Sequence, residues 1–189
     1  MADFLGPPTI EEIIALKQTP SAGDAILWKG DGWFFWCLSF LLMLKDSTWR
    51  ARWFAKDRWL PWHTGFVIRI LDTGEIVTFQ AVNLEVGVCA VTYATKEDMG
   101  DCRTYHWLDS IDVGAMNRYV DTWNGRPYDI LAYPEVAFTI LFNWHFVIND
   151  DKLMCWENLC NFMRCMGKEL NPLWQVPLIS RIMNKLEGK

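Results

Sequence analysis

Apolar and polar positions change rhythm several times along this chain, and each change marks an element. Thr9 with Glu12 is a capping-box signal for a short helix through Lys17, which Pro20 and Gly23 close. Residues 25–28, AILW, predict a strand that ends in the turn Gly30-Asp31-Gly32. From Trp33 to Leu44 almost every position is apolar, so periodicity cannot separate helix from strand, and the length predicts a helix. The mixed basic and aromatic stretch STWRARWFAKDRWLPW follows, irregular or helical, and stops at Pro61.

Three strands come next. TGFVIRIL (64–71) is rich in β-branched residues and runs into the turn Asp72-Thr73-Gly74, and EIVTFQAV (75–82) answers it as the second arm of a hairpin. GVCAVTY (87–93) is the third strand. A helix over 111–123 ends at Asn124-Gly125, and the pattern from Pro127 to Val147 gives no clear division. Another helix covers roughly 155–166, with Gly167 beyond its end, and the tail holds Pro172, Pro177 and one more short helix. No repeat, low-complexity tract or linker interrupts the chain. The expectation is one α+β domain over residues 1–189, with a small antiparallel sheet packed on helices.

Composition adds two points. The 12 Trp and 11 Phe imply a bulky core and some exposed aromatic surface for protein partners or ligands. The net charge of −5 argues against a nucleic-acid partner, because that partnership rests on clustered Lys and Arg. Arg50, Arg52, Lys56 and Arg58 do form one local basic patch among Trp49, Trp53 and Trp59. A solvated helix face and contact with a membrane surface or polyanion are its two readings. MADFLGPPTIEEIIALK lacks the basic and apolar regions of a secretory signal, and the 33–44 run is shorter than the ~20 residues of a spanning helix. The expectation is therefore cytoplasmic synthesis with six reduced cysteines.

No metal or cofactor is expected. Cys155, Cys160 and Cys165 advance about 140° per step on a helix and so spiral around it, and there is no C-x-x-C or H-E-x-x-H. Cys155 stands where the last predicted long helix begins, at the electropositive end that lowers a thiol's pKa. Cys160 and Cys165 lie roughly one and a half and three turns further in. A thiol nucleophile needs an imidazole, and the imidazole needs an orienting group. His63, at the mouth of a strand, is the candidate base; His106 and His145 sit in aromatic surroundings that suggest packing. On the adjoining strand Gln80 and Asn83 are the polar candidates, with Glu75 too near the turn. The competing readings are a buried inert thiol at 155 and an outward polar residue at 80.

The order of these motifs resembles the NlpC-type superfamily of papain-like cell-wall amidases and peptidases, in its circularly permuted branch. Gly23-Asp24 match the opening strand, His63-Thr64-Gly65 the "H-x-G" strand, and Gln80-Ala81 the "E-A" of the next strand. Gly87-Val88 match a recurrent "G-V", and Pro127-Tyr128-Asp129 is similar to the "Y-D" segment. Cys155 with Glu157 and Leu159 matches the nucleophile helix. The match spans about 22–166, with 33–62 as an atypical aromatic and basic insertion. Trp156 replaces the usual small serine, and Gln80 stands where that branch often has a carboxylate.

The resemblance implies a cysteine hydrolase with Cys155 as nucleophile, His63 as base and Gln80 as orienter. Its implied substrate is a peptidoglycan peptide or another amide, and a phage-borne wall hydrolase is one setting. An acyl-lipid enzyme at a membrane surface, and a non-catalytic interaction module, are the alternatives.

Overall fold

The computed structural model describes residues 20–56, 58–82, 88–94, 102–129, 132–142, 152–168, 170 and 179–186, the side chains at 34, 180, 181, 184 and 185 excepted. The expected helix at 9–17, together with Asn83 and His145, lies outside the described residues. The chain is α+β. Its strands are β1 (Ala25–Lys29), β2 (Pro61–Ile70), β3 (Ile76–Ala81), β4 (Cys89–Ala94) and β5 (Cys102–Tyr105), joined antiparallel in the order β4-β3-β2-β1-β5. Its helices are α1 (Trp33–Lys45), α2 (Ser47–Trp53), α3 (Val113–Trp123), α4 (Ala132–Phe142), α5 (Cys155–Cys165) and α6 (Ile179–Leu186).

The β2–β3 hairpin forms where the Asp72-Thr73-Gly74 signal puts it, with Gly74 at φ 86°, a conformation that costs glycine nothing. β2 nevertheless begins at Pro61, ahead of the expected start at Thr64, so His63 lies within the strand. Proline is tolerated at the first position of a strand. β5 carries only CRTY, too short a run to show alternation, and it joins the sheet by pairing with β1.

The apolar run at 33–45 is a helix, as its length predicts. It turns Phe35, Leu38 and Leu42 into the core. A Cβ on Gly30 would overlap the Phe35 ring, so glycine at 30 is what lets α1 close onto β1. The unassigned stretch after Pro127 contains α4, with Pro134 in its first turn, where a missing N–H breaks no helical bond. α5 packs across the middle of the sheet: Phe162 stacks on Phe66 of β2 at 3.6 Å between centroids, and Tyr119 of α3 meets both rings. No helix among the described residues is long and apolar enough to cross a membrane.

Candidate active site

The site is built on the first half of β2. His63 pairs with Trp28 of β1, and the two rings lie 5.2 Å apart. Two residues on, Gly65 pairs with Gln80 of β3. Residues two apart on a strand, and residues paired across a ladder, share one face of the sheet. His63, Gly65 and Gln80 therefore stand together, and His63 Nε2 lies 2.7 Å from Gln80 Oε1. A Cβ on Gly65 would lie 2.8 Å from the Phe79 carbonyl oxygen, so glycine lets the two strands approach here.

The far end of the Gln80 amide is held by two threonine hydroxyls. Gln80 Nε2 donates to Thr78 Oγ1 at 2.9 Å and to Thr92 Oγ1 at 2.7 Å, and the amide oxygen faces the ring. An amide oxygen only accepts, hence the His63 proton sits on Nε2 and Nδ1 presents its lone pair. Of the other polar candidates on this hairpin, Glu75 is tied into the turn through Thr73.

The residues flanking His63 meet α5. Thr64 Oγ1 donates to the Cys155 carbonyl at 2.6 Å, and the Trp62 ring meets Trp156 edge-on at 5.2 Å. The Cys155 thiol points to the Trp62 carbonyl oxygen at 3.8 Å, and the Thr64 N–H faces the sulfur. Those two groups belong to the peptides on either side of His63, so the sulfur rests against the histidine's own backbone. The structure thus sets the Cys155 sulfur against the backbone on either side of His63, while the His63 ring itself bonds Gln80 and lies beside Trp28.

Trp156, the residue that departs from the resemblance, is fully buried, and its indole N–H donates to the Trp62 carbonyl at 2.6 Å. That carbonyl lies beyond the β2–β3 pairing, which begins at Gly65 and Gln80. The indole gives that carbonyl a donor and fixes the start of α5 against β2.

Tyr128 completes the surroundings, and no role falls to it from the sequence alone. A parallel bridge to Leu153 sets it beside the start of α5, and its hydroxyl reaches both the Cys155 sulfur and the Tyr133 hydroxyl, the latter at 2.9 Å. Burial and the neighbouring thiol hold its phenol well above the ordinary range, so it is a neutral donor. Its only trace in the sequence is its place in the Pro-Tyr-Asp triplet.

Burial decides the electrostatics. Cys155 is 3% exposed, and desolvation pushes its thiol up to about 12. The Thr64 N–H, the Tyr128 hydroxyl and the N–H groups of Trp156 and Cys155 pull the other way and lose. The thiol acidified by a helix end, expected from the sequence, is therefore not the resting state. Burial also lowers His63 below its ordinary value, against the opposing hydrogen bond that its ring makes to Gln80. Both shifts favour a neutral thiol beside a neutral imidazole.

The other candidates fall away from this cluster. Cys160 is buried in the core and also pushed up to about 12 by desolvation, while Cys165 is exposed on another face of α5. His106, expected to pack among aromatics, is half exposed and bonds through Nδ1 to Asp24 Oδ1 at 2.7 Å. Among the described residues no cluster of His, Cys, Asp and Glu is arranged to hold a metal ion.

No family model matches the chain, and no curated protein matches it. Among solved structures it is similar to the metalloprotein YiiX of Escherichia coli O157:H7, a DUF1105 protein, at 18% identity and a TM-score of 0.42, over 90% of this chain and 84% of that one.

Proposed function

We propose that the chain is a papain-like cysteine hydrolase of permuted order, cleaving an amide or ester by acyl transfer. One observation carries the reading: a histidine held through Nε2 by a buried-end amide stands on the strand segment whose two flanking peptides touch a cysteine at a helix N-terminus. Cys155 Sγ attacks the substrate carbonyl carbon as His63 Nδ1 takes the thiol proton. The carbonyl oxygen becomes an oxyanion beside the Cys155 N–H and the Tyr128 hydroxyl. His63 then returns the proton to the departing amine or alcohol, and water attacks the acyl-enzyme by the same route in reverse.

Because the resting pair is neutral, proton transfer accompanies attack instead of preceding it. Gln80 suits that role, since a neutral amide orients the ring while favouring the imidazolium less than a carboxylate does. Peptide bonds of bacterial peptidoglycan are the substrate the sequence resemblance implies. Acyl lipids are a second reading, favoured by the apolar outer face of α1 beside the site.

Purified sacculi and an acyl-lipid vesicle substrate, each assayed for product release, test both readings. Cys155→Ala is expected to abolish turnover and Cys160→Ala to leave most of it. Equal activity of the two variants would remove Cys155 from the chemistry.

A further inference from the structure

α1 is apolar on both sides, which a helix packed on one side does not require. Phe35, Leu38 and Leu42 face the core, yet Trp33 (77% exposed), Trp36, Phe40 (47%) and Leu44 (50%) form an outward stripe at helical spacing. Phe54, just past α2, adds a further ring at 71% exposure. An exposed run of this kind marks a surface that something covers.

The charges around the stripe indicate what. Trp53 meets Trp36 at 5.5 Å and Phe40 at 6.2 Å, and the Arg58 guanidinium lies over the same Trp53 ring at 5.9 Å. Lys45 ends α1 next to Leu44, and Arg50 bonds the Met43 and Leu44 carbonyls there. Lys45, Arg50, Lys56 and Arg58 are all exposed. A chain of net charge −5 thus gathers cations along the border of this apolar stripe. A second copy docked face to face would set these cations against themselves, because a two-fold interface is self-complementary. Nucleic acid would leave the aliphatic and indole stripe in water.

We infer that α1 and the turn after α2 form a docking face for an anionic lipid bilayer. The helix lies in the interfacial plane, with its outer stripe among the acyl chains and the basic residues at the headgroups. With 13 residues, α1 is about 20 Å long and lies along the surface without crossing it. The face adjoins the candidate site: Trp36 touches Phe35 at 5.1 Å, Phe35 touches Trp62 at 5.3 Å, and the Trp62 carbonyl meets the Cys155 thiol. Docking itself needs no catalysis.

Flotation of the full chain with phosphatidylcholine vesicles, with and without phosphatidylserine, tests the inference. The expected result is binding that requires phosphatidylserine and weakens in high salt. The double variants Trp33→Ser/Phe40→Ser and Lys56→Glu/Arg58→Glu should each partition about tenfold less or weaker still, with circular dichroism unchanged. Cys155→Ala should float like the parent, so a failure of docking and a failure of the hydrolase reading are read separately. No flotation with anionic vesicles, or flotation indifferent to both double variants, overturns the docking face. Self-association in sedimentation that Trp33→Ser/Phe40→Ser abolishes, without lipid binding, assigns the stripe to a second copy and overturns it too.

Discussion

α5 and α1 are helices of similar length that use apolar residues in opposite ways. α5 buries Trp156, Leu159, Phe162 and Met163 and leaves Arg164 and Cys165 to solvent, so its inner face can be read from spacing. α1 buries Phe35, Leu38 and Leu42 but turns Trp33, Phe40 and Leu44 outward, so spacing is silent about which face is inner. α4 follows α1, with Val136 and Ile140 buried and Phe138, Leu141 and Phe142 exposed. A helix whose pattern identifies its buried face is accounted for by the fold. One that is apolar on both sides has a second task, and here that helix also supports the candidate site through Phe35 and Trp62.

Substitutions at ring residues on the two helices make the contrast measurable. Phe162→Ala on α5 deletes a fully buried ring stacked on Phe66, and urea melts are expected to show a loss of about 3–5 kcal/mol. A loss under about 1 kcal/mol would mean that α5 does not organise the core as described.

A smaller effect comes from Glu157, whose carboxylate accepts the Met154 N–H at 3.0 Å at the start of α5. Burial, reinforced by Asp129 and Glu135, pushes it up to about 7. Its folded value lies above its unfolded one, about 4.3. The stability it contributes is thus complete below the unfolded value and is lost as pH rises through 7. Glu157→Gln keeps an acceptor for Met154 and should flatten the fall in stability between about pH 4 and 7. An unchanged slope in urea melts across that range would show that Glu157 ionises as freely as in the unfolded chain.

The smallest effect belongs to the outer face of α1. Trp33→Ser should change stability by no more than about 0.5 kcal/mol, because the side chain remains largely in water. A loss comparable to that of Phe162→Ala would make the stripe part of the fold and erase the contrast between the helices.

Much of the site's framework is legible before folding. Asp72-Thr73-Gly74 sets a tight hairpin, whose own register would pair Gln80 with Phe66; a one-residue shift between Val67 and Arg69, which the turn does not announce, sets Gln80 beside Gly65 and within reach of His63. Helix length and Gly167, at φ 79°, mark the extent of α5 and place Cys155 at its first residue. The approach of Cys155 to β2 had no local signal, and only the order of short motifs suggested it. β5 and α4 escaped because one is a four-residue run and the other carries no polar face.

The sequence by itself determined the turns, the hairpin, the extents of α1, α3 and α5 and the residue types available for chemistry, since these depend on dihedral preferences and hydrogen bonds within a few residues. Only the tertiary structure decided that the Cys155 thiol rests neutral, that Tyr128 stands over it, that Trp156 serves a strand carbonyl, and which side of α1 faces out. Desolvation and exposure are sums over neighbours brought from distant parts of the chain, so no stretch of residues carries them alone.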